Sequence, residues 1–203
     1  MARGRRYESR EDFSRHLKNG VGRGEGEKYQ PWLRVQDVPR NQGRSSKPFG
    51  VKTNRQHHFL SDIEKNCFLY FEYQANVSDL REQFPLLPLC RSVDLAELLE
   101  IRHPQLDKSE CPWVMTTDLL LTLTPSSTHK HSAIACKPAN KLSDKRVLQK
   151  LELERQWWHS LGIPWFLVTD LQIPRIETEN LFWLSSELRD ITSRWKDKDL
   201  VES

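Results

Sequence analysis

No stretch of this 203-residue chain approaches the ~20 consecutive apolar residues of a membrane-spanning helix. The N-terminus carries Arg3, Arg5 and Arg6, but no apolar run follows, so a secretory leader is not expected. Cysteine is sparse. Cys67, Cys90, Cys111 and Cys136 stand more than twenty residues apart with no C-x-x-C, which argues against structural zinc and suits a reducing cytosol. Glycine is sparse too. Gly20, Gly22, Gly24 and Gly26 alternate, but no strand precedes them and no helix follows, so they do not form a phosphate-cradling loop. They read as a flexible segment ahead of a small anchored piece at Pro31-Trp32-Leu33 and Val35. Internal repeats and coiled-coil heptads are absent.

What is present is one core's worth of apolar residues, 37% of the chain, and an uneven charge. Residues 1–58 hold 14 Lys and Arg against 6 Asp and Glu, a net +8; the remainder holds 17 against 22, a net −5. A basic arm ahead of a mildly acidic body points to a polyanion, most plausibly nucleic acid, with a solvated tail as the alternative. The body reads as α/β. A helix opens at Ser61 and runs to about Tyr73; strands follow at 77–87, 114–122 and 132–137, with a short helical or loop insertion at 94–103 and a turn at Pro125-Ser126-Ser127. A helix over 143–161, a buried strand at 164–169 and a closing helix over 179–195 complete it.

Three residues carry chemistry. Asp118 and Lys137 lie in adjacent apolar strand segments that would bring a carboxylate and an ammonium together at the sheet edge. Glu64 projects from the helical face shared by Leu60, Ile63, Cys67 and Phe71, which is costly for a carboxylate unless it is paired or binds a cation. A capping box, Ser61-x-x-Glu64, and a structural Asp–Lys ion pair are the plain alternatives. Phosphodiester hydrolysis needs hard oxygen ligands for a metal such as Mg2+, here Glu64 and Asp118, and a cation, Lys137, to orient water and offset transition-state charge.

Asp118, separated by eighteen residues from the Lys137 of Ala135-Cys136-Lys137, resembles the PD-(D/E)xK, restriction-endonuclease-like superfamily. The flanking motifs are more specific. His57-His58-Phe59-Leu60-Ser61-Asp62-Ile63-Glu64, Asp79 through Pro88, Met115-Thr116-Thr117-Asp118, Lys150 through Arg155 and Gly162-Ile163-Pro164-Trp165-Phe166 resemble the TnsA family, the endonuclease subunits of heteromeric Tn-type transposases, including CRISPR-associated ones. The resemblance implies a restriction-endonuclease-like mixed sheet flanked by helices: a basic arm over 1–58, a catalytic core over 59–178, and a C-terminal helix and tail over 179–203. It implies two Mg2+ (Mn2+ may substitute) and cutting of the non-transferred strand at transposon-end DNA. A DDE transposase subunit, TnsB, then handles the 3′ ends under the ATP-dependent regulator TnsC, all in the bacterial cytoplasm. Glu64, Asp118 and Lys137 fall on the family's catalytic positions, with Glu64 and Asp118 as metal ligands.

Two departures from the pattern stand out. Ala135 occupies the position two before the lysine, where the superfamily has Asp, Glu or Gln, so Glu64 or a carbonyl near Cys136 must substitute. The resemblance implies that longer relatives continue into a winged-helix domain that contacts the regulator; here that domain is expected to be absent or truncated, with helix 179–195 or the partner transposase making the contact. An assembly subunit with little nuclease activity is the alternative function. Among other residues, Glu82 or Gln83 is a candidate for lining the metal site, and His129 and His131 for metal, though a solvated loop is favoured. Trp157 and Trp158 are candidates for base stacking, with Trp158 expected in the core. Glu152 and Glu154 are expected on the surface.

Overall fold

Helix α2 (Asp62–Glu72) begins where the Ser61 hydroxyl accepts from the Glu64 N–H, and it buries Cys67, Phe68 and Leu69. The computed structural model describes residues 9–38, 44–105, 112–125, 128–174 and 176–185. Ahead of α2 lie α1 (Arg10–Lys18) and a hairpin of β1 (Phe49–Gly50) and β2 (Arg55–Gln56). After it come β3 (Val77–Pro85), α3 (Leu89–Leu98), β4 (Thr116–Leu123), β5 (His131–Cys136), α4 (Lys145–His159) and β6 (Trp165–Val168). A further helix, α5, spans 176–185; the rest of the expected closing helix lies outside the described residues.

The main sheet has the order β3-β4-β5-β6, antiparallel except for the parallel β5–β6 pair. That parallel pair follows from α4, which crosses from the end of β5 back to the start of β6. On one face, α2 packs with Leu80, Leu119, Leu121, Ile134 and Cys136. On the other, Leu153, Trp157 and Trp158 of α4 and Ala96 of α3 meet Leu120 and Ala133. The expected mixed sheet flanked by helices is what forms.

Three expectations are corrected. The strand at 164–169 is not buried: β6 closes the sheet edge and Phe166 is 53% exposed. Its apolar run was right for a strand but carries no information on which side is covered. The insertion placed at 94–103 is α3, and it begins earlier, at Leu89. The glycine run is also anchored rather than loose. Gly22 donates to the Gln30 carbonyl at 2.7 Å, and its φ of +78° and a Pro85 carbon only 2.4 Å from where a Cβ would stand leave room for glycine alone. Trp32, 1% exposed, then docks with Val114, Phe13 and Leu17, so much of the arm packs on the core.

Candidate active site

Strand β4 delivers Asp118, and Lys137 follows directly on the end of β5, as their apolar flanks imply. The register Leu119↔Ile134 and Leu120↔Ala133 sets Asp118 level with Ala135. Asp118 Oδ2 accepts from the Cys136 N–H at 2.7 Å and from Lys137 Nζ at 3.3 Å. Lys137 Nζ also donates to the Cys136 carbonyl at 2.9 Å, which fixes the ammonium over the strand end. Asp118, and then Glu154 and Glu64, raise the lysine's pKa against the opposing effect of burial, so it is a firm cation.

Glu64 is buried, 6% exposed, and does two jobs. Its Oε1 accepts from the Ser61 hydroxyl at 2.8 Å and its Oε2 from the Leu60 N–H at 3.0 Å, so the capping role is real. Oε2 also accepts from Gln83 Nε2 at 3.1 Å, which turns the carboxylate toward the end of the sheet. Burial first, and the charge of Asp118 second, raise its pKa to about 7, while the Leu60 and Ser61 bonds and Lys137 oppose them.

Glu154 corrects the expectation of a surface role. It is 6% exposed, and its Oε1 accepts from the Thr117 hydroxyl at 2.9 Å and from Trp165 Nε1 at 3.2 Å. Burial, then Asp118, raise its pKa to about 7 against Lys137 and those two bonds. Spacing could have found it: Leu151, Glu154 and Trp158 share one helical face, and the other two are buried. Glu152, by contrast, pairs with Arg155 on the surface as expected.

Gln83 is the other residue whose role the sequence leaves open, and its backbone explains why. It sits inside β3 at φ +46°, a conformation that costs a non-glycine residue on the order of 1 kcal/mol or more. Leu80 packs on the α2 side, yet Phe84 lies against Trp158 of α4, so the two-residue alternation reverses at Gln83. Strand β4 does the same: Leu119 packs on the α2 side, whereas Thr117 bonds Trp158 and Glu154 of α4. Both reversals aim side chains at the sheet end. Gln83 bridges Glu64 and Thr116, accepting from the Thr116 hydroxyl at 2.9 Å.

Glu82 goes elsewhere. It is fully buried against Arg55 (2.6 and 2.8 Å) and His57 Nδ1 (2.7 Å), a structural network and not part of the site. Trp157 and Trp158 are buried, 2% and 1% exposed, with Trp158 Nε1 bonded to Thr117, so neither offers a stacking face. His131 Nδ1 lies 3.3 Å from the Thr122 hydroxyl and His129 is exposed. Among the described residues, no group of three or more His, Cys, Asp and Glu side chains is arranged to hold a metal.

Comparison with known proteins bears on this geometry. Residues 74–170, which include Asp118, Lys137, Gln83 and Glu154, match the family model of the TnsA-like endonuclease N-terminal domain. The chain is 42% identical over 186 residues to the Transposon Tn7 transposition protein TnsA of Escherichia coli, covering 92% of this chain. The chain belongs to the TnsA-like endonuclease family. It spans 66% of the length of that relative. In this member of the family, the residue level with the strand aspartate is Ala135, 0% exposed and without a donor atom. A side-chain amide reaches the acids instead from β3, where Gln83 bonds Glu64.

Proposed function

We propose that this protein is the Mg2+-dependent endonuclease subunit of a transposase, cutting the non-transferred strand at transposon-end DNA beside a DDE transposase subunit of the TnsB type and under a TnsC-type ATP-dependent regulator. It works in the bacterial cytoplasm; among the described residues no helix is long and apolar enough to cross a membrane. The observation that carries the reading is the imbalance at one sheet end: among the described residues, the charges of Glu64, Asp118 and Glu154 all act on the same ammonium, Lys137. Buried acids in excess of their cations are the condition under which a divalent ion fits. Glu64 and Asp118 would hold it, since Mg2+ keeps most of its waters and takes one or two carboxylates plus substrate phosphate. When bound, it supplies a Lewis acid and a lowered pKa for water.

The chain's own residues do the rest. Lys137, one-third exposed, orients the attacking water and faces the charge that builds on the phosphorus-bound oxygens. The Cys136 N–H and Lys137 hold Asp118 in place, and Gln83 with Ser61 fixes Glu64. Ala135 favours a second reading, a DNA- and partner-binding assembly subunit with little nuclease activity. Labelled transposon-end duplex, the partner transposase and Mg2+ separate the two. Wild type should nick the 5′-end strand, and Asp118→Ala should lose at least ~100-fold in rate with duplex binding retained. No nick by wild type, or an undiminished nick by Asp118→Ala, overturns the endonuclease reading.

A further inference from the structure

A cavity of about 280 Å³ opens beside Lys137, between Pro104 and Trp113 on one side and Lys150, Leu151 and Glu154 of α4 on the other. Trp113, Pro104 and Leu151 wall it, Lys150 stands at its side, and Thr116 and Glu154 line the part nearest the candidate active site. None of these residues is used by the hydrolytic reading except through Glu154's charge. The volume is too small for a duplex or for a helix, whose width with side chains is about 10 Å. It suits one planar ring system and its sugar.

The walls indicate what enters. An indole and a proline ring offer flat apolar contact to a base, as in sites that bind single-stranded nucleic acid. Lys150 lies near Arg146 and Lys137, and burial first, then these two like charges, lower its pKa, which marks a place where an anion would relieve repulsion. Both hydrogen bonds to Glu154 fall on Oε1, and Oε2 accepts none among the described residues. A carboxylate oxygen with that freedom accepts from the exocyclic amino group of a base. The requirements of a nucleotide, a flat face, an edge acceptor and a phosphate cation, meet in one pocket that shares Lys137 with the cutting site.

We propose that this cavity receives a single nucleotide extruded from the duplex next to the scissile phosphate, its base against Trp113, its edge toward Glu154 and its phosphate on Lys150. The proposal rests on the endonuclease reading and deepens it: the substrate is a locally opened transposon end and not a regular duplex. Enzymes that extrude a base pay for unstacking, and the charge is smallest where the base is already unpaired or missing.

The test uses the full chain with partner transposase and transposon-end duplexes carrying 5-iododeoxyuridine at successive positions, in Ca2+. Irradiation should cross-link one position adjoining the cut, and peptide mapping should place the adduct on Trp113. In Mg2+, Trp113→Ala should cut paired DNA at least ~10-fold more slowly, in keeping with the stacking contribution of one base. Trp113→Phe should retain most of the rate, which also shows that the wall tolerates substitution. On a duplex with an abasic site at the cross-linked position, wild type and Trp113→Ala should cut alike. If bound duplex cross-links to no residue lining the cavity, or if Trp113→Ala cuts paired DNA at the wild-type rate, the pocket proposal falls while cleavage lost only in Asp118→Ala leaves the endonuclease reading standing. A wild type that neither binds nor cuts overturns both, and a cross-link formed equally well by free iododeoxyuridine nucleotide, uncompeted by duplex, assigns the cavity to a small ligand instead.

Discussion

Replacing Glu154 by glutamine should stabilise the metal-free protein at pH 8.5 and leave it nearly unchanged at pH 5. The folded protein holds the Glu154 proton until about pH 7, against an ordinary value of 4.5, because burial and then the Asp118 charge oppose its ionisation. Between those two values the folded state binds more protons than the unfolded chain, so stability falls as pH rises through that window. Below pH 4.5 the effect is fully favourable to the fold; above 7 it has been lost. About 2.5 pH units at about 1.4 kcal/mol each give about 3.5 kcal/mol. Glutamine cannot ionise, and its own Oε1 can keep the bonds from Thr117 and Trp165, so the variant escapes the loss at little packing cost. Urea unfolding at pH 5 to 9 in chelator measures it. With a slope of about 2 kcal/mol/M, the midpoint of the variant should exceed wild type by about 1.8 M at pH 8.5. The variant's curve should still decline between about pH 4.5 and 7, because Glu64 remains and is raised in the same way. Parallel stability–pH curves for the two proteins, or a variant less stable than wild type at pH 8.5, would refute the reasoning.

Three further outcomes follow from the same structure. Mg2+ or Ca2+ should raise the melting temperature of wild type at pH 8 but not that of Asp118→Asn, measured by calorimetry; equal shifts would remove Asp118 from the metal site. Glu82→Gln should cost about 3–5 kcal/mol in urea unfolding, because it strands Arg55 and His57 in the core, and a cost below about 1 kcal/mol would show the network to be dispensable. Gly22→Ala should destabilise more than Gly20→Ala: both have positive φ, about 1 kcal/mol for alanine, but only at Gly22 does the new methyl meet Pro85. Equal midpoints for the two variants would contradict that packing.

Much of this was legible in the sequence where local rules govern. The Ser61/Glu64 pair announced α2, and the apolar runs around Asp118 and Lys137 announced β4 and β5. Helix α1 was not expected, since it buries no residue; only the Ser9 cap and a polar sequence mark it. The position of β6 at the sheet edge depends on strand order, which periodicity does not encode. Gln83 could be named only as an alternative to Glu82, for a different reason. Alternation assigns a strand residue to a face, and here a left-handed backbone at that very residue reverses the assignment. Glu154 was missed because its neighbours Glu152, Arg155 and Gln156 make the segment look solvated, although its spacing from Leu151 and Trp158 points inward.

Electrostatic surroundings divide the buried acids into two kinds. Glu82 and Gln83 are consecutive on β3 yet serve different ends. Burial alone would raise the Glu82 pKa, but His57 and Arg55 pull it down to about 2, so this carboxylate is an anion the fold has already compensated. Glu64 and Glu154 are as deeply buried, and each is held by uncharged donors with one shared lysine nearby, so burial wins and both rise to about 7. Hydrogen bonds alone do not explain the difference, since Glu64 accepts three and is still raised. The number of cations within reach does. A fold that needed these acids only for packing would gain by pairing them as it pairs Glu82, or by removing them as Glu154→Gln does. Retaining two uncompensated carboxylates around Asp118 is a standing cost at neutral pH, and a divalent cation with a phosphodiester is the ligand combination that would offset it.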